Sequence, residues 1–153
     1  MLKLTDDKGI YILELHSKSK FKIANKKFNE IIFPAGYYYY VGSAQKNLQS
    51  RLKRHAKKAK KLHWHIDYLT SNKNIILRNI YVLPGQLKKV ECELTNKIIT
   101  QKNFKIIVKG FGNSDCNSCE SHLIYSKKKI SYNHLCSLYQ STVLFIPSSS
   151  DIC

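Results

Sequence analysis

Pro34-Ala-Gly-Tyr-Tyr-Tyr-Tyr-Val-Gly-Ser-Ala44 decides how this chain is read. Pro34-Ala-Gly36 is punctuation, and the four tyrosines and valine that follow form a run rich in aromatic and β-branched residues, which predicts a strand over Tyr37–Gly42. Alternation along a strand sets Tyr38 and Tyr40 on one face and Tyr37 and Tyr39 on the other. One face is then free to pack and the other to line a site. Upstream, Gly9-Ile-Tyr-Ile-Leu-Glu-Leu15 has the same character and predicts a second strand.

Working outward, Phe21–Phe28 alternates loosely around a turn at Asn25-Lys26-Lys27. Ser43–Leu62 predicts a helix, with Leu48, Leu52, Ala56 and Ala59 on a narrow apolar stripe. His63–Leu69 continues as a shorter helix or turn. Ile75–Leu83 predicts a strand closed by Pro84-Gly85, Val90–Ile99 a helix with Leu94 and Ile98 inward, and Phe104–Val108 a further strand. Ile130–Phe145 has helical character. The order strand, strand, helix, strand, helix, strand with short connections predicts an α/β or α+β fold: a small, mainly antiparallel sheet flanked by helices, in one domain over 1–125 with an unassigned extension over 126–153.

The 153 residues carry 26 Lys+Arg against 10 Asp+Glu, a formal net charge of +16. Such an imbalance opposes compaction and suits a polyanionic partner. No stretch approaches the ~20 apolar residues of a membrane-spanning helix. No export signal opens the sequence, and five cysteines, an odd number, argue for reduced thiols and a cytoplasmic setting. On the predicted basic helix, Arg51, His55 and Lys58 share one face and Arg54, Lys57 and Lys61 the next, and Lys53 is a further candidate contact. Parallel cationic rows of this kind suit nucleic-acid phosphates and carry no base information.

Two tripeptides give the chemistry a direction. Gly9-Ile10-Tyr11 and Tyr40-Val41-Gly42, followed by Ser43-Ala44, Arg51 and His55, resemble the GIY-YIG nuclease superfamily. Longer phrases, Phe33–Ala44, Lys61–Leu69 and Gly110–Cys116, resemble a prokaryotic branch of GIY-YIG-like domains, some joined to an endonuclease-III-like glycosylase. The resemblance spans Gly9–Tyr125. It implies a GIY-YIG-like fold and a metal-dependent endonuclease of DNA, with RNA a second possible substrate. The implied setting is repair or processing, in association with a repair enzyme. The alternative is a catalytically weak nucleic-acid-binding module, or an accessory domain of a repair enzyme.

The resemblance implies roles residue by residue. Tyr11 and Tyr40 line the site and one helps to deprotonate water; Arg51 stabilises the scissile phosphate; His55 stands at a site position. A glutamate on a later helix holds one Mg²⁺ or Mn²⁺. Glu91 shares the inward face of the Val90–Ile99 helix with Leu94 and Ile98, so Glu91 is the expected ligand, with Glu93 in reserve. Hydrolysis of a phosphodiester needs an activated water and neutralised phosphate charge. A tyrosine with an ordinary pKa near 10 is a weak base at neutral pH, and cations such as Arg51 are expected to lower it. The Tyr11–Tyr40 separation exceeds that of most members and suits an inserted hairpin; Asn113 is the nearest match to the family's late asparagine.

Cys116, Cys119 and His122 have the spacing of three zinc ligands, with Asp115, Cys92, His63 or His65 as a fourth. Zinc is thus a second candidate cation, the alternative being thiols and an imidazole that simply pack or hydrogen-bond.

Overall fold

The computed structural model describes residues 6–113, 118–131 and 133–135, and the backbone of 143–145. Six strands, β1 (Gly9–Ser17), β2 (Gly36–Ala44), β3 (Ile75–Pro84), β4 (Phe104–Lys105), β5 (Leu123–Ser126) and β6 (Val143–Phe145), form one antiparallel sheet in the order β4-β5-β2-β1-β3-β6. Helices α1 (Leu48–Ala56), α2 (Asp67–Thr70) and α3 (Lys89–Ile99) join them, with a further helical turn at 133–135. The expected α+β fold is present.

The two tyrosine-bearing strands are direct neighbours. Register sets Tyr11 opposite Gly42 and Tyr40 opposite Leu13, so Tyr11, Leu13, Tyr38 and Tyr40 share one face. That face packs against Leu48 and Leu52 of α1 and Leu69 of α2. The other carries Ile10, Ile12, Tyr39 and Val41, covered by Val90, Leu94 and Ile98 of α3. The sheet is therefore buried on both sides, which explains why β1 and β2 are apolar almost throughout rather than alternating.

The segment between β1 and β2 is not a strand hairpin. A single bridge joins Phe21 to Phe33, whose rings stack with centroids 5.1 Å apart. Phe21, Ile23, Phe28 and Phe33 are all buried in the core of the tyrosine face. The insertion thus adds hydrophobic core without adding sheet, because its aromatic residues face inward from a loop.

Three further expectations change. The helix over Ser43–Leu62 is shorter at both ends: Ser43 and Ala44 finish β2, and Lys57 takes an extended conformation that closes α1 after Ala56. Only Leu48 and Leu52 of the predicted stripe are buried by the sheet, so nothing holds a lysine-rich turn helical beyond Ala56. The strand predicted over Phe104–Val108 contracts to Phe104–Lys105. Of the helix predicted over Ile130–Phe145, residues 133–135 are helical, whereas 143–145 form β6, which pairs with Ile80–Val82 and brings that part of the extension into the sheet.

Candidate active site

A cleft of ≈ 540 Å³ opens on the tyrosine face, lined by Tyr11, Tyr40, Arg51, His55 and Glu91 among others. These five residues come from β1, β2, α1 and α3 and are separated by up to 80 positions in the chain. Sheet register delivers the tyrosines. Helix periodicity delivers Arg51 and His55, four residues apart on one face of α1. Glu91, in the first turn of α3, reaches the cleft from the opposite layer; it is 9 % exposed, whereas Glu93 faces solvent.

Tyr11 and His55 form the central contact. The Tyr11 hydroxyl lies 2.9 Å from His55 Nε2, with ring centroids 5.3 Å apart. Glycine at position 42 makes room for it, since a Cβ there would stand 2.4 Å from the Tyr11 ring. Gly112, at φ +73°, does the same for Tyr40, whose ring lies 2.6 Å from where its Cβ would be. His55 is buried, and its Nδ1 has no hydrogen-bond partner among the described residues.

Burial dominates the electrostatics. It raises the Tyr11 pKa far above the ordinary phenol value, and the lowering effect of neighbouring Arg51 is smaller. Tyr40 is raised for the same reason, reinforced by Tyr11 and Glu91. Arg51 acts in the expected direction, lowering the phenol pKa, but burial outweighs it and the net shift is upward. His55 is pushed down to about 3, first by burial and then by the charge of Lys60. A neutral imidazole thus faces a neutral phenol, and the two share one hydrogen bond whose direction follows the imidazole tautomer.

Arg51 is held at the cleft wall from two directions. Its Nη1 donates to the Ser43 carbonyl at 2.5 Å, and its guanidinium lies 4.8 Å from the centre of the Trp64 ring. Arg54 stacks on the same ring at 4.5 Å while binding Asp67 through both guanidinium nitrogens, at 2.7 and 2.8 Å. Asp67 also accepts the amides of His63 and Trp64 at 2.9 and 2.8 Å. Burial alone would raise the Asp67 pKa; Arg54 and these two amides outweigh it and hold the carboxyl below its ordinary value. Trp64 and Asp67 are residues that the sequence reading did not assign to the site. The Arg54–Asp67 spacing bridges two helices, so no local periodicity marks it.

The basic residues separate into two kinds. Arg54 is committed to Asp67, and the Lys58 ammonium donates to the carbonyls of Asn72, at 2.9 Å, and Ile75. Lys57 and Lys61 are exposed, and Lys53 is partly buried. Because α1 stops at Ala56, the predicted row of Arg54, Lys57 and Lys61 is not a helix face.

Behind Glu91, a second cluster forms. Cys92, Cys119 and His122 bring their ligand atoms within 4.8 Å of one another and could hold a metal ion. His122 Nδ1 lies 2.9 Å from Glu91 Oε1, off the direction that a ring hydrogen bond requires. Burial, then the Glu91 charge, raises the Cys119 pKa. Cys92 is disulfide-bonded in this structure, contrary to the expectation of reduced thiols throughout. Cys116 and Asp115, named as ligand candidates from sequence, lie outside the described residues. His63 and His65 line the cleft instead, and His65 Nδ1 accepts the Gly112 amide at 2.9 Å. Asn113 holds the Cys119 carbonyl at 2.7 Å.

No curated protein and no solved structure matches this chain. One family model does match, over residues 10–144, which takes in nearly the whole sheet from β1 to β6. The chain belongs to that family, described as domain of unknown function DUF123.

Proposed function

We propose that this protein is a metal-dependent endonuclease that hydrolyses phosphodiester bonds in DNA. The observation that carries the reading is the convergence of Tyr11, Tyr40, Arg51, His55 and Glu91 in one cleft. Each type has a task in phosphoryl chemistry, and packing alone does not require all five together.

Arg51 would pair with two oxygens of the scissile phosphate, its fork already oriented by Ser43 and Trp64. Tyr11 would take the proton of the attacking water on its hydroxyl oxygen while passing its own to His55 Nε2, 2.9 Å away. Burial keeps both partners neutral at rest, so this transfer is coupled to the arrival of the phosphate, whose negative charge makes His55 more basic. Tyr40, on the same face, would orient the water or the phosphate.

Glu91 would hold the hard divalent cation, Mg²⁺ or Mn²⁺, because a single carboxylate with room for waters and phosphate oxygens suits such an ion. When bound, that ion supplies charge neutralisation and a more acidic water. The cluster of Cys92, Cys119 and His122 is chemically softer and suits zinc.

Incubation of the purified chain with duplex, flapped, branched and abasic DNA, in Mg²⁺, Mn²⁺ or EDTA, tests the reading. The expected result is metal-dependent cleavage that EDTA abolishes. Salt-sensitive binding without cleavage under any metal would replace it with the binding-module reading, which the raised phenol pKa values favour.

A further inference from the structure

The thiol and imidazole cluster behind Glu91 is built from two separate pieces of chain. Cys92 sits in the first turn of α3, next to Glu91. Cys119 and His122 belong to the segment that leads into β5. Backbone pairing fixes this segment: the His122 amide donates to Phe111 at 2.9 Å, and the Val41 amide donates to His122 at 3.0 Å. Asn113 Nδ2 and Asn96 Nδ2 donate to the carbonyls of Cys119 and Ser118, at 2.7 and 3.3 Å. The backbone that carries Cys119 and His122 is therefore tied to its neighbours at four points.

The spacing fits a small tetrahedral ion. Cys92 Sγ lies 3.1 Å from Cys119 Sγ and 3.5 Å from His122 Nε2. A tetrahedral zinc centre with ordinary bond lengths has ligand–ligand edges of about 3.5–3.8 Å, so small shifts admit the ion. Two thiolates and an imidazole are a donor set that selects zinc over Mg²⁺ or Mn²⁺. The orientation of His122 adds an independent indication. Its Nε2 faces the sulfurs, and its Nδ1 faces the Glu91 carboxylate at 2.9 Å. A metal-bound histidine gives one nitrogen to the metal and the other to a carboxylate that orients the ring, an arrangement that a small rotation of the His122 ring would complete.

We propose that Cys92, Cys119 and His122 form a zinc site that ties α3 to the β5 segment and, through His122, sets the position of Glu91. The zinc assignment is independent of the nuclease reading; only the consequence for Glu91 as a cleft ligand rests on it. One carboxylate oxygen of Glu91 is then engaged by His122, leaving the other for the cleft. Since zinc binds the thiolate, the site loads only when Cys92 is reduced, and the disulfide and the metal exclude each other.

The test uses the full chain, purified under a thiol-free reductant without chelator, with metal content measured by plasma mass spectrometry. A single zinc per chain is expected, lost on oxidation. Reduced, metal-stripped protein titrated with Co²⁺ should show a sulfur-to-cobalt charge-transfer band and the visible bands of a tetrahedral centre. Cys92→Ser, Cys119→Ser and His122→Gln should each weaken zinc binding at least tenfold. Glu91→Gln should keep the stoichiometry and weaken affinity by ~10-fold, as loss of a ligand-orienting carboxylate does. Folded, reduced wild-type protein that carries no zinc and gives no sulfur-to-cobalt band would overturn the proposal, whatever its variants do. Unchanged zinc affinity in Glu91→Gln would overturn the link to the cleft. None of these readouts involves DNA, so failure here and failure of the nuclease reading are separate results.

Discussion

The two faces of the sheet each bury a tyrosine hydroxyl against a titratable partner, and the two pairs are finished differently. On the α3 side, Tyr39 donates to Glu14 Oε2 at 2.9 Å and accepts the Ile130 amide at 2.8 Å. The other oxygen of Glu14 accepts from Asn79 Nδ2 at 2.8 Å, and Lys129 stands 3.9 Å away. Every strong group in that network has a partner. On the α1 side, Tyr11 meets His55 in an open cleft, and His55 Nδ1 has no partner among the described residues. A saturated buried network serves stability, whereas spare hydrogen-bonding capacity beside a cleft is what a reacting ligand needs.

The comparison breaks most sharply in kinetics. Arg51→Ala should lower single-turnover DNA cleavage at saturating protein by ~10²-fold or more, the range for loss of a transition-state donor. Affinity should fall much less, since other cations remain. Glu91→Gln should retain DNA binding and lose metal-dependent turnover. An Arg51→Ala variant impaired only in affinity would make the cleft a binding site rather than a catalytic one.

On the opposite face the effect should be one of stability alone. Tyr39→Phe strands both a Glu14 oxygen and the Ile130 amide, at about 1–3 kcal/mol for each buried group left unsatisfied. Urea unfolding should show the loss, while cleavage per folded molecule stays at the wild-type rate. A parallel loss of turnover would mean that the two faces are coupled.

Acid sharpens the contrast further. The folded pKa of His55 is about 3, below the ordinary value near 6.5, so between these values the unfolded chain binds more protons. Stability is therefore full above pH 6.5 and falls as pH drops toward 3. The slope from this one group is at most about 1.4 kcal/mol per pH unit. His16 and His65, both lowered by burial first, act in the same direction. His55→Gln should flatten the pH dependence of the urea midpoint; an unchanged profile would place the titration elsewhere.

The smallest expected effect distinguishes the lysines. Lys57→Ala should reduce the slope of log K against log salt on plain duplex by ~0.9, one phosphate contact. Lys58→Ala should move that slope less and stability more, because its ammonium binds the Asn72 and Ile75 carbonyls. Equal slopes in the two variants would return both lysines to a common DNA-facing surface.

Much of this molecule was legible in the order of its residues. Aromatic and β-branched runs marked β1, β2 and β3, and the shared inward face of Glu91, Leu94 and Ile98 chose between two glutamates, because strand and helix periodicities are local properties. Tyr11, Tyr40, Arg51 and His55 could be named because the two strand tripeptides and the helix after them resemble a known set of motifs. What lay beyond reach was decided by partners distant in the chain. Helix α1 ends at Ala56, past which Lys57, Lys58 and Ala59 are all exposed and bury nothing that would hold a further turn. The aromatic loop at Phe21–Phe33 packs rather than pairs, and β6 finds β3 from sixty residues away. Asp67 gathers Arg54 and two amides, and Cys92 joins Cys119 and His122 across two layers. Burial, which no spacing reveals, reverses the direction in which the Tyr11 pKa was expected to move: desolvation depends on everything that surrounds a group, and only the folded chain determines that.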